Sequence, residues 1–161
     1  MSVQSMDEEV LKNIKRSNIK LDHYKEVSKN LQKNGRSSKG ELIMPLPGET
    51  KESFMRGIED LIGSGVSSLT IYTLMLLNGT EFKNAQYRKE FDIKGRFRIV
   101  PLNFGEYGGE KIFDIEEVGI QTKDMPFEDY LYLRGFALMI ESLINGRVFE
   151  EFFMYSKSLG V

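Results

Sequence analysis

The chain has 161 residues, 40% of them apolar, with 22 basic and 24 acidic side chains, one histidine and no cysteine. Such a length supports one ordinary core without staples, while the lack of cysteine excludes a thiolate nucleophile, a cysteine-held zinc and an iron-sulfur cluster ligated by this chain alone. A net charge of −2 offers no field for nucleic acid or anionic lipid, no apolar run spans a bilayer, and the start lacks the blocks of a signal peptide; a cytoplasmic protein with no membrane or nucleic-acid partner is expected.

"MSVQS" reads as a short strand, a start that looks cut from something longer. Asp7 then caps a helix through "EEVLKNIKR", where Val10, Leu11 and Ile14 share a face. A second helix runs from Leu21 to about Asn34, with Asn18 or Asp22 as its cap and Gly35 as its left-handed stop. Glu41 to Met44 form a buried strand, because a Pro-x-Pro-Gly turn follows at once and leaves no room for a helix. Thr50 opens the next helix in a Thr-x-x-Ser segment one residue type short of a capping box, and Phe54, Ile58, Leu61 and Ile62 make its inward stripe. Gly63 and Gly65 end it. "SLTIYTLMLL" is a third strand, closed by Asn78-Gly79.

Strands alternating with helices long enough for crossovers predict an α/β fold with parallel strands. A Rossmann-like sheet and a piece of a β/α barrel both satisfy that pattern. Further on, Glu81 to Phe91 is a helix candidate, "RFRIVPL" a strand broken by Pro101, and "KIFDIEEVGIQT" a longer strand. "GEYGG" has neither Walker nor dinucleotide spacing and reads as a flexible loop. Phe127 to Asn145 is a strong helix, capped near Asp124 and ended by Gly146, followed by the aromatic-rich helical tail "VFEEFFMYSKSL", whose rings suit core or subunit contact.

Chemistry-bearing residues are sparse. His23 reads as a surface helix residue, so a zinc site or a histidine-based triad has little to draw on. Glu116 and Glu117, adjacent on a strand, point to opposite faces and make a poor carboxylate pair. What remains collects at the carboxyl ends of the parallel strands: Ser2, Gln4 and Ser5 after the first, Pro47 to Thr50 after the second, and Tyr72 to Thr80 around the third. Ligands of parallel α/β proteins sit at that end. For Gly48 and Glu49 two readings stay open, a ligand role and plain turn geometry.

"SVQSMDEEVLKNIKRSNI", "ELIMPLPGETKESF" and "IYTLMLLNGTEF", in this order and spacing, resemble radical S-adenosylmethionine enzymes, most closely the subgroup with an associated cobalamin-binding domain. The resemblance covers residues 1–82, and "RIVPLNFGEY" and "EEVGIQTKDMPFEDYLYLRGF" look similar to the C-terminal part of that subgroup. It implies the second half of a partial (β/α) barrel in residues 1–82, with residues 83–161 as an α+β extension packed on it. By the same resemblance Gln4 contacts the nucleoside of S-adenosylmethionine, Arg16 pairs with its carboxylate, and Ile43 packs on adenine; Ser2, Ser5, Pro47, Gly48, Glu49 and Tyr72 complete the expected wall. Pro45 stands where relatives usually carry glycine, which reshapes the adenine side.

The family's three-cysteine loop belongs ahead of everything present here. The implied iron-sulfur cluster and cobalamin are therefore expected only in a complete enzyme, which would generate a 5′-deoxyadenosyl radical for hydrogen abstraction or methyl transfer on an unknown small molecule. No catalytic residue and no metal ligand is expected in this chain. The alternatives are a degenerate, non-catalytic binding or assembly module on the same half-barrel, and an unrelated small α/β enzyme with Glu49 or Glu81 as base. The implied open edge of the first strand invites the missing N-terminal half of the barrel, or self-association.

Overall fold

The computed structural model describes residues 2–18 and 20–160, with the side chains at positions 2, 150, 154 and 157 outside that description. Strands β1 (Ser2–Gln4), β2 (Lys39–Met44) and β3 (Ser68–Thr73) form a parallel sheet in that order. Helices α1 (Glu8–Asn13) and α2 (Leu21–Lys33) link the first two strands, and α3 (Lys51–Gly63) links the second and third. A 3-10 turn at Glu81–Lys83 and α4 (Ala85–Glu90) then lead into a long antiparallel hairpin, β4 (Lys94–Tyr107) and β5 (Glu110–Gln121). The chain ends in α5 (Phe127–Met139), a π-helical continuation over Ile140–Asn145, and α6 (Glu150–Ser158).

Alternation along β2 sorts the sheet into two faces. Leu42 and Met44 point to the side where Leu69 of β3 and Val3 of β1 also lie, and all four are buried against Phe54, Ile58 and Leu61 of α3, Leu133 of α5 and Ile140 of its π-helical continuation. The other face carries Glu41, Ile43, Thr70 and Tyr72, none of them fully buried, and Tyr72 is 44% exposed. Helices thus cover one side of a parallel sheet, an arrangement that ordinarily has both sides covered.

The two edges differ as well. Among the described residues β1 has no strand on its outer side, whereas the outer edge of β3 is occupied by side chains of α5 and its π-helical continuation: Asn145 holds Leu69 through two hydrogen bonds, and Arg134 reaches the Ile71 carbonyl at 3.5 Å. Beyond Thr73 the chain runs on and pairs with β5. Leu76 N–H donates to Glu117 O at 2.9 Å and Gly119 N–H to Leu74 O at 2.8 Å, which anchors the hairpin at its base. A second apolar cluster of Val10, Leu46, Leu74, Leu76, Phe91 and Ile93 lies there.

Asp7 caps α1 as expected, its Oδ1 accepting the N–H groups of Glu9 and Val10. Thr50 and Ser53 go further than expected and form a full reciprocal capping box, serine doing what glutamate usually does. Gly35 and Gly65 take positive φ just past the ends of α2 and α3; the third strand is shorter than expected, ending at Thr73, and Gly79 at positive φ lies in a turn beyond it. Several local readings are corrected. Neither Asn18 nor Asp22 caps α2, whose N-cap is Lys20 without a side-chain bond; the Asn18 amide donates instead to Ser5 O at 2.6 Å. Asp124 does not cap α5, whose N-cap is Pro126 without a side-chain bond. Ile62 is 42% exposed, beyond the inward stripe. Pro101 does not end β4, because among the described residues no strand pairs with its outer edge and no ladder N–H is required there; it marks a register shift between Ile99 and Phe104. Gly108 and Gly109, both at positive φ, make a tight two-residue hairpin turn rather than a flexible loop.

Among the described residues no helix is long and apolar enough to cross a membrane.

Candidate functional site at the carboxyl ends of the parallel strands

Gln4 ends β1 with φ of +66°, and the Ser5 N–H donates to Val3 O at 2.9 Å, closing a tight turn centred on Gln4. That turn is the strained form of a three-residue turn, and a side-chain-bearing residue holds it only if its surroundings insist. Three groups do so at Ser5. The Asn18 amide donates to its carbonyl, its hydroxyl oxygen accepts the Asp7 N–H at 3.1 Å, and its hydroxyl donates to Glu49 Oε2.

Glu49 is 1% exposed, and its other oxygen, Oε1, accepts the Ser53 hydroxyl of α3. Burial raises its pKa above the ordinary 4.5 and the Asp7 charge adds to this; the two serine bonds and the Arg56 charge oppose the shift. The carboxyl therefore ties the end of β1 to the start of α3 and has both oxygens occupied within the chain.

Gly48 has φ of +89°, and its N–H donates to Asp124 Oδ2 at 3.2 Å. A Cβ there would lie 2.6 Å from Asn13 Nδ2, which donates to Pro47 O at 3.1 Å. The turn is thus gripped from α1 on one side and from the segment before α5 on the other. Ile43 is half-buried against the second apolar cluster.

The structure brings Gln4, Ser5, Pro47, Gly48 and Glu49 into one hydrogen-bonded neighbourhood. Arg16 lies just beyond α1, exposed, with its backbone N–H on Leu11 O at 2.8 Å. Tyr72 pairs in register with Ile43, but its hydroxyl leans back to Glu41 and Lys39, each at 3.4 Å. Of Ser2 only the backbone is described. Sequence reasoning missed the site roles of Asn13 and Asn18, at and just past the end of α1, and of Asp124, ahead of α5; a lone polar residue beside a helix end carries no signal that distinguishes this use from a cap. Glu116 and Glu117 do diverge: Glu116 pairs with Arg98 at 2.6 Å, while Glu117 takes Arg88 at 3.0 Å and Lys83, whose hydrogen bond leads in holding its pKa down. His23 is exposed, and among the described residues no group of three or more potential metal ligands exists.

No family model matches the chain. It is 29% identical over 150 residues, 91% of its length, to the cobalamin-dependent radical SAM methyltransferase TokK of Streptomyces tokunonensis. It is also 29% identical over 160 residues, 96% of its length, to the 2-(S-pantetheinyl)-carbapenam-3-carboxylate methyltransferase of Streptantibioticus cattleyicolor. It spans 21% and 23% of the lengths of these two curated relatives. The likeness read from the three strand-end motifs is borne out: over nearly its whole length this chain resembles one portion of a much longer radical S-adenosylmethionine enzyme of the cobalamin-dependent kind.

Proposed function

We propose that the chain is part of a radical S-adenosylmethionine methyltransferase and supplies one wall of the nucleoside pocket at the carboxyl ends of β1, β2 and β3. The observation that carries this reading is the match to two methyltransferases along 91% and 96% of the chain. The one-sided sheet supports it, since a mixed polar and apolar face without a helix layer, beside a β1 edge that no described strand covers, is what half of a barrel would present. In this reading Gln4, presented by its strained turn, and Ile43 meet the nucleoside, and the exposed Arg16 guanidinium takes the carboxylate. Glu49 holds Ser5 and α3 in place beneath them. The substrate is a small molecule whose identity the site does not specify.

An iron-sulfur cluster does not fit this chain, which has no cysteine, so the cluster belongs to another part of the complete enzyme. That lack of cysteine equally favours a second reading, a binding or assembly module that keeps the half-barrel without the chemistry. One experiment separates them. The chain treated anaerobically with iron and sulfide should assemble no cluster and release no 5′-deoxyadenosine from S-adenosylmethionine. Mixing it with the cysteine-bearing half of a homologous methyltransferase should restore both, through pairing at the β1 edge. Failure of a correctly loaded partner half to restore cleavage would favour the non-catalytic module, and cleavage by the isolated chain would overturn the assignment.

A further inference from the structure

The β4–β5 hairpin is amphipathic across its two faces. Residues paired in register share a face, so Ile99 with Ile115, and Phe104 with Phe113, lie on the same side as Phe97. The Phe104 and Phe113 ring centroids are 6.2 Å apart. These five side chains are 68% (Phe97), 58% (Ile99), 66% (Phe104), 52% (Phe113) and 64% (Ile115) exposed. The opposite face carries the Arg98–Glu116 pair and the hydrogen bond from Asn103 to Asp114, with Tyr107 and Ile112 exposed on it only towards the tip. A two-stranded ribbon with a bare apolar face is marginal in water, and the stripe is about as large as the largest apolar patch a monomer usually shows.

We infer that this stripe is the interface of a homodimer, packed face to face against the same stripe of a second copy of the chain. Three observations select that occupant. Edge pairing is obstructed, because Pro101 and the register shift between Ile99 and Phe104 interrupt the free edge of β4. Each carboxylate on the stripe's face has an opposite charge beside it, so neither meets its own image uncompensated: Glu106 is cross-strand from Lys111 at the tip, and Glu117 at the base is held by Lys83 and Arg88. The area is of the right order, since five large side chains more than half exposed offer on the order of 500 Å² per copy, with polar neighbours as a rim towards the roughly 800 Å² per partner of a standard interface. A two-fold axis needs one self-complementary patch, and this is one. The inference does not depend on the methyltransferase reading.

The chain's lack of cysteine provides a clean test. Sedimentation of the whole chain from about 1 to 200 µM should show a concentration-dependent rise from one chain mass to two, with Ile99→Glu raising the dissociation constant at least tenfold. Ile115→Cys, on the stripe, should form a disulfide-linked dimer on mild oxidation, and Glu116→Cys, on the opposite face, should not. Circular dichroism matching the parent would show that Ile99→Glu is folded. A chain that stays monomeric throughout, or cross-links equally from both faces, overturns the inference.

Discussion

The side-chain amide of Asn145 pairs with both backbone groups of Leu69: its Oδ1 accepts the Leu69 N–H at 2.9 Å and its Nδ2 donates to the Leu69 carbonyl at 2.8 Å. An asparagine thereby stands where a further strand would otherwise bond, and the sheet is closed at β3. The π-helical turn of Ile140–Asn145 ends on this residue, consistent with π geometry being used to re-aim a side chain. Asn145→Leu should cost roughly 1–3 kcal/mol for each backbone group left unpaired at the buried Leu69. Asn145→Asp should cost no less than that, because its carboxylate would face both the Leu69 carbonyl and the Glu141 carboxylate that the amide now serves at 2.6 Å. Thermal unfolding measures both, and a melting temperature unchanged in Asn145→Leu would refute the edge-closing role.

Gly48 is held by geometry as well as by space. At φ of +89°, with Asn13 Nδ2 2.6 Å from where a Cβ would sit, Gly48→Val should destabilise the fold by about 1–3 kcal/mol from backbone strain alone. The loss should appear in denaturant unfolding without any ligand. Asp124→Ala, which removes the acceptor of the Gly48 N–H, should lower stability in the same direction by a smaller amount.

Glu49 provides a pH signature. Burial raises its pKa in the folded chain above the ordinary 4.5, so the folded state holds this proton more tightly than the unfolded state does. Its contribution is most favourable below about pH 4.5 and declines as pH rises through the raised value, where a carboxylate must ionise in a buried site. Glu49→Gln removes that dependence. The melting temperature of the parent minus that of Glu49→Gln should therefore fall with rising pH across this window; a difference that is flat or rises would contradict the assignment.

Arg16 separates binding from folding. Its guanidinium is exposed, so Arg16→Ala should leave the melting temperature unchanged, while any affinity for S-adenosylmethionine should weaken by roughly 1.5–3 kcal/mol, the range for a hydrogen bond to a charged group. Titration calorimetry reads this directly, and equal affinity in both versions would remove Arg16 from the pocket.

Local chemistry made much of the fold legible without coordinates. The cap at Asp7, the box opened at Thr50, the stop at Gly35 and the alternation through β2 each depend on neighbours within a few residues, and so does the strand and helix order that they punctuate. The same locality misled where a polar residue sat beside a helix end. Asn18 and Asp124 have the chemistry of N-caps, but their hydrogen bonds go to Ser5 O and to the Gly48 N–H, 13 and 76 positions away. Sequence spacing holds no record of such partners, because one donor or acceptor can serve either use at similar energy and only the packed chain selects between them. For the same reason the motif placed Glu49 at the strand end, while the tertiary structure decided that both its oxygens are spent on Ser5 and Ser53, and that Asn145 rather than another strand closes the sheet.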